Sequence, residues 1–326
     1  MSPATDQLVL PRPGETIEST QKPISGPAES TFVEAFGTLL PAAKFLNTAN
    51  GKAAYYEMFP SSGVSQSTPD RVLLIHGVQT PALGMLPLAR ALQTSFPPAH
   101  LVLIDLWGHG LSDTPLILHE PSLFHQLLDD LLDHLSWSSA HLVGFSFGGV
   151  ITASYVASRP SRVQSFTLVA PAGFLRLSDF TVEQQSYLRG GDEAAAKKWI
   201  FEFLEGGELV VPKDWKQRVA NGEVVAEAVR DWQMHEHPGH VASVVGIFRD
   251  GGVMDSEAQF LKAAQTGIPY LAVLGELDDL CSRQQLSEHG LDNVFVIPQA
   301  GHGVVRDKVD DVAALISDLW VKLDKH

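Results

Sequence analysis

The chain has 326 residues, 44% hydrophobic and 19% charged. That composition supports a sizeable core and excludes a disordered chain, a collagen or a coiled coil. A single cysteine excludes an intrachain disulfide framework and a zinc site built from several thiolates. Asp and Glu number 38 against 23 Lys and Arg, a net charge of −15, which argues against nucleic acid as a partner because polyanion affinity comes from Lys and Arg at phosphates.

The first residues, MSPATDQLVLPRPGE, hold an apolar run, LVL, too short for a secretory core. No stretch approaches the roughly 20 apolar residues of a spanning helix, and the final LDKH is not a peroxisomal tripeptide. The expectation is a cytoplasmic protein with no membrane partner, a monomer or homodimer acting on a small molecule.

Residues 1–35 carry five prolines and no sustained period, so an irregular N-terminal arm is expected there. Residues 44–47 and 53–59 flank Asn50-Gly51, a pair suited to a tight hairpin. Short continuous apolar runs follow at 71–76, 100–105, 141–145, 163–170, 269–274 and 293–297. Runs of this kind fit strands buried on both faces of a parallel sheet. Between them, residues 122–137 place Leu123, Leu127, Leu128, Leu131, Leu132 and Leu135 on one helical stripe, and 308–322 reads as a closing helix. The alternation predicts an α/β fold with a doubly wound, mostly parallel sheet. It is interrupted at 174–265, a helix-rich stretch carrying Trp199, Phe201, Phe203, Trp215, Trp232 and Met234. That stretch reads as a helical cap inserted over the sheet edge where such folds bind ligands, leaving 36–173 and 266–326 as the core. Aromatic side chains there serve either the cap's own packing or a substrate. Trp199, Trp232 and Met234 are the candidates for the pocket.

The chemistry centres on Gly144-Phe-Ser146-Phe-Gly-Gly149, between a strand and the helical stretch 150–158. A serine on such a sharp turn is a nucleophile elbow, and it needs a base and an orienting acid. His302, between Gly301 and Gly303, follows the last strand. Asp278 follows the strand ending at 274, with Asp279 as the competing acid. The chain order is then Ser146, Asp278, His302. Two amides are needed for a developing oxyanion, one from Phe147 and the other from Val78, in the loop after His76-Gly77. Phe147 also offers the pocket an apolar wall. His76 is expected to hold that loop rather than act as base, and His76, Gly77 and Val304 join the pocket candidates. His235, His237 and His240 invite a metal reading, but Pro238-Gly239 breaks helical ligand spacing; cap surface or substrate contact is preferred. No metal and no cofactor is expected.

Taken together, His76-Gly77, Asp105-Leu-Trp-Gly-His-Gly-Leu-Ser112, the Ser146 elbow, Gly275-Glu-Leu-Asp278 and Gly301-His302 resemble the α/β-hydrolase fold superfamily, in its capped serine-hydrolase branch, over residues 44–324. The resemblance implies an eight-stranded sheet, a Ser-His-Asp triad, a lid after the sixth strand, and a structural turn at 105–112. A serine nucleophile implies an acyl-enzyme, hence a carboxylic ester, lactone, thioester or C–C bond beside a carbonyl. The cap's aromatics imply a medium-sized apolar or aromatic substrate. The alternative is a non-hydrolytic enzyme on this fold: an acyltransferase, a perhydrolase, or a lyase or cyclase of a natural-product pathway. A ligand receptor, the third reading, usually lacks a triad member, and none is missing here.

Overall fold

The computed structural model describes residues 22–60, 69–190 and 192–325. The N-terminal strands β1 (Lys44–Thr48) and β2 (Gly51–Met58) pair antiparallel around Asn50-Gly51. Then come β3 (Arg71–Ile75), β4 (His100–Ile104), β5 (Ala140–Phe145), β6 (Val163–Val169), β7 (Tyr270–Gly275) and β8 (Val294–Ile297). They form one eight-stranded sheet in the order β1-β2-β4-β3-β5-β6-β7-β8, parallel from β4 to β8.

The sheet is buried on both faces, as its continuous apolar runs require. In β3, Leu73 and Ile75 enter one hydrophobic cluster while Val72 and Leu74 enter the other. The first cluster is covered by α3 (Pro121–His134), whose leucine stripe is fully buried, and by α4 (Phe147–Ser158). The second is covered by α2 (Leu86–Ser95) and the C-terminal α13 (Val309–Leu323). Each buried Leu contributes roughly 1.5–3 kcal/mol, so these helices are held by packing more than by propensity.

Part of the expected arm is ordered. Residues Glu29–Phe36 form helix α1. At eight residues it is too short to show a period, and it forms because Phe32 and Phe36 pack edge-on against Trp232, at ring separations of 5.4 and 5.9 Å. Just before it, Ile24 bridges Thr114 and the Gly26 amide donates to Asp113. Residues 1–21 of the expected arm lie outside the described residues.

Between β6 and β7 run six helices: α5 (Val182–Leu188), α6 (Glu193–Glu205), α7 (Trp215–Ala220), α8 (Ala226–Glu236), α9 (His240–Asp250) and α10 (Glu257–Gln265). After β7 come α11 (Arg283–Glu288) and, beyond β8, the four-residue α12 (Val304–Asp307). Among the described residues no helix is long and apolar enough to cross a membrane.

The turn at 105–112 is knitted by a buried acid. Asp105 accepts from the Tyr56 hydroxyl at 2.8 Å and from the amides of Leu111 and Ala82 at 3.0 and 2.9 Å. Burial pushes its carboxyl up to about 6. Asp105→Ala orphans three donors at once, and each unsatisfied buried donor costs about 1–3 kcal/mol. A loss of about 3 kcal/mol or more is expected, read as a lower urea midpoint; an unchanged midpoint would refute this role.

Candidate active site

Ser146 sits between β5 and α4 with φ 54° and ψ −116°, a left-handed conformation disfavoured for a residue with a side chain. The turn closes because its neighbours are small. A Cβ on Gly148 would strike the Ile75 carbonyl of β3, and one on Gly144 the Gly148 carbonyl. The strain is held by backbone bonds from Ser146 to the Val169 carbonyl at 3.0 Å and from the Ala172 amide to the Ser146 carbonyl at 3.0 Å.

His302 and Asp278 arrive at the same place from the loops after β8 and β7. His302 Nε2 lies 2.9 Å from Ser146 Oγ, and Nδ1 lies 2.9 Å from Asp278 Oδ2. A carboxylate only accepts, so Nδ1 carries the proton and Nε2 is free to accept from the serine hydroxyl. The Asp278 side chain is 1% exposed while His302 is 36% exposed, which leaves the imidazole open to the cavity. The Leu280 amide donates to the other Asp278 oxygen at 3.1 Å. Asp279, the competing acid, is exposed and has no hydrogen bond to His302.

A cavity of about 500 Å³ opens over Ser146. It lies between the sheet loops, with Val78, Phe145, Phe147, Asp278 and His302, and the helical excursion, with Phe203, Glu205, Arg230 and Phe248. Val78 and Phe147 both line this cavity, and their amides make no hydrogen bond with any described residue.

The loop bearing Val78 is clamped on every side. His76 Nε2 accepts from the Leu106 amide at 2.9 Å, and its Nδ1 donates to the Gly77 carbonyl at 2.6 Å. Burial lowers this imidazole to about 4, so it is neutral and structural. Gln79, at φ 66°, gives its amide to His109 and its side chain to Glu205. Its carbonyl accepts from Gln233 of α8, whose side-chain oxygen in turn accepts from the Gly110 amide at 2.7 Å.

Several pocket candidates lie elsewhere. His76 and Gly77 stand behind the cavity rather than on its wall, and Val304 is fully buried in the second cluster. Trp199 forms a second layer, packed edge-on against Phe248 and tilted against Phe203, which do line the cavity. Trp232 points away: it packs on α1 and borders a different groove, of about 670 Å³, with Trp215. Met234 is on the outer surface, 39% exposed. Helical phase explains the pair, since residues two apart face different sides of α8. The three histidines do not converge. His235 is exposed, whereas His237 bonds the Ser112 carbonyl at 2.8 Å and His240 the Gly108 carbonyl at 2.9 Å. The latter two are buried anchors of the 105–112 turn, neither cap surface nor substrate contact. Among the described residues no group of three His, Cys, Asp or Glu is placed to hold a metal ion.

Sequence reading missed Gln79, His109, Gln233, Arg230 and Arg306. Isolated polar residues carry no pattern.

The sequence model of the alpha/beta hydrolase fold matches residues 70–214. A Bacillus subtilis (strain 168) protein provisionally named 2-succinyl-6-hydroxy-2,4-cyclohexadiene-1-carboxylate synthase is 25% identical over 65% of this chain and 78% of its own length. The monoacylglycerol lipase abhd6-B of Xenopus laevis is 31% identical over 40% of this chain, and the match spans about a third of that protein, 35%. The crystal structure of the enol-lactonase from Burkholderia xenovorans LB400 superimposes with TM-score 0.63 at 17% identity, covering 85% of this chain and 100% of that one. The sheet order, the strained elbow and these likenesses define the fold: the chain has the α/β-hydrolase fold and is similar to members of that superfamily.

Proposed function

We propose that this chain is a serine hydrolase of the capped branch, acting on a carboxylic ester, lactone, thioester or C–C bond beside a carbonyl. The observation that carries the reading is the unbroken relay of two 2.9 Å contacts from Asp278 through His302 to Ser146. In the proposed cycle His302 Nε2 takes the Ser146 proton as Oγ attacks the carbonyl. The free amides of Val78 and Phe147 hold the oxyanion. His302 then protonates the leaving group, and later draws a proton from the water that frees Ser146. Asp278 fixes the tautomer and stabilises the imidazolium. The excursion at 174–265 acts as the cap, and Phe203 and Phe248 suit a medium-sized substrate with an apolar body. We place the enzyme in the cytoplasm, as a monomer or homodimer working without a cofactor. The name of the lipase relative supports an ester.

The name of the synthase relative favours a second reading, in which the same relay moves protons without an acyl-enzyme. One experiment tests the activated serine that the hydrolase reading requires. A fluorophosphonate probe is expected to label the native protein on Ser146, to label His302→Ala weakly and Ser146→Ala not at all. Absence of labelling in a folded protein would sink the hydrolase reading.

The clamp on the Val78 loop yields its own prediction. Gln233→Leu removes the bonds to Gln79 and Gly110 and lets the oxyanion amide drift. A displacement near 1 Å costs on the order of 10²-fold, so kcat on a p-nitrophenyl ester is expected to fall by about 10–100-fold with KM far less affected. Equal losses in kcat and stability would mean that Gln233 is structural only.

A further inference from the structure

Arg306 stands on α12, four residues after His302, and lines the cavity together with Ser146. Its guanidinium lies over the Phe145 ring, 5.3 Å from the centroid. Phe145 also contacts the His302 imidazole, with ring centroids 5.2 Å apart, so the cation and the proposed base share one aromatic neighbour. Arg306 forms no side-chain hydrogen bond and no ion pair with any described residue, and its Nη1 is buried. The other arginine of the wall, Arg230, is neutralised by Glu205 at 3.3 Å. Asp307 and Glu227 pull on Arg306 only from beyond ion-pair distance. In a chain with 15 excess negative charges, carboxylates are plentiful, yet among the described residues none is placed within ion-pair distance of this guanidinium. An unpaired buried cation costs free energy, and the Phe145 face offsets part of it.

We propose that Arg306 seats a carboxylate of the substrate, so that the reacting molecule is a monoanionic acid carrying its ester or lactone carbonyl on an apolar body. The planar guanidinium fork matches a carboxylate in two parallel hydrogen bonds. The apolar body then lies along Phe147, Phe203 and Phe248 with its carbonyl at Ser146. Glu205, Asp278 and Asp279 also line the cavity, which disfavours a phosphate dianion relative to a single carboxylate. The proposal rests on the serine-hydrolase reading for the position of the carbonyl, though the anion seat itself is read by binding alone.

The test is calorimetry on full-length Ser146→Ala with monobenzyl glutarate and with its neutral methyl ester. The monoanion is expected to bind about tenfold more tightly, a difference of about 1.4 kcal/mol. Adding Arg306→Met is expected to shrink that ratio to about twofold or less, and Arg306→Lys to keep part of it, as a point charge without the fork. Because the lost charge was unpaired, Arg306→Met is expected to leave the melting temperature unchanged or higher. Equal affinities in the Arg306 protein, no binding of the monoanion, or a preference that persists in Arg306→Met would each overturn the seat. So would a fall in melting temperature, which marks a structural role. Ser146 takes no part in this readout, so a failure of probe labelling would strike the hydrolase reading and leave the binding ratio to judge Arg306.

Discussion

Ser146→Ala is expected to lower kcat on a p-nitrophenyl ester by about 10⁴–10⁶-fold while leaving the melting temperature within about 1 °C, because in the proposed cycle it removes the nucleophile and spares the amides of Val78 and Phe147. The residual rate should be that of the cavity and the amides of Val78 and Phe147 alone. His302→Ala should fall to a similar level, and the double variant no further, since the two act as one unit. Asp278→Asn tests the tautomer argument separately. An amide can donate to Nδ1, which drives the proton to Nε2 and blocks acceptance from Ser146; a loss of about 10⁴ is expected. The 1% exposure of the Asp278 side chain means no water replaces it. Steady-state kinetics with active-site titration checks all four. Independent, multiplicative losses in the double variant would refute a coupled relay, and an active Ser146→Ala would remove the serine from the chemistry.

The same contrasts show what the sequence makes legible. The strands were readable because burial on both faces forces unbroken apolar runs, as in 71–75 and 163–169. The elbow was readable because the turn tolerates only small residues at 144 and 148, and the meeting of Ser146 with His302 because each ends a strand on one edge of the sheet. Helix α1 was not, since its order comes from Trp232 and Trp215 about 200 positions away. The pocket aromatics were misassigned for a related reason. Composition says that α6 and α8 carry Trp and Met, but only helix phase decides that Phe203 faces the cavity and Met234 the solvent. Gln79, Gln233 and Arg306 were invisible because a polar residue acquires meaning only from its partners, or, for Arg306, from having none.

Acidification is expected to unfold this protein well above the pH at which carboxylates alone would fail. His76, His119, His125, His141 and His237 are held near about 4 and His240 near about 3, with burial the largest cause in each; burial likewise holds His109 well below its ordinary value. Each folded-state value lies below the unfolded ~6.5, so the unfolded chain binds more protons between the two. The contribution of these groups is fully present above ~6.5 and is lost as pH falls toward 4. At about pH 5 each of the six with a stated value loses about 2 kcal/mol on that linkage. Asp105 and Asp250 oppose them. Burial raises both to about 6, which favours the fold as pH falls, by about 1 kcal/mol each at the same pH. Six histidines against two acids, with His109 acting in the same direction, leave a net loss comparable to the ~5–15 kcal/mol that holds a typical domain. The expected result is a cooperative loss of near-ultraviolet and far-ultraviolet circular dichroism between about pH 4 and 5.5, reversible at low protein concentration. His119→Phe removes one titrating ring where Nε2 has no hydrogen-bond partner and should move the midpoint to lower pH. Its ring already packs edge-on against Phe124 at 5.8 Å, so an aromatic replacement keeps the contact. A urea midpoint that stays constant from about pH 7 to 4.5 would show that these histidines protonate freely inside the folded protein, and the burial argument for them would fall.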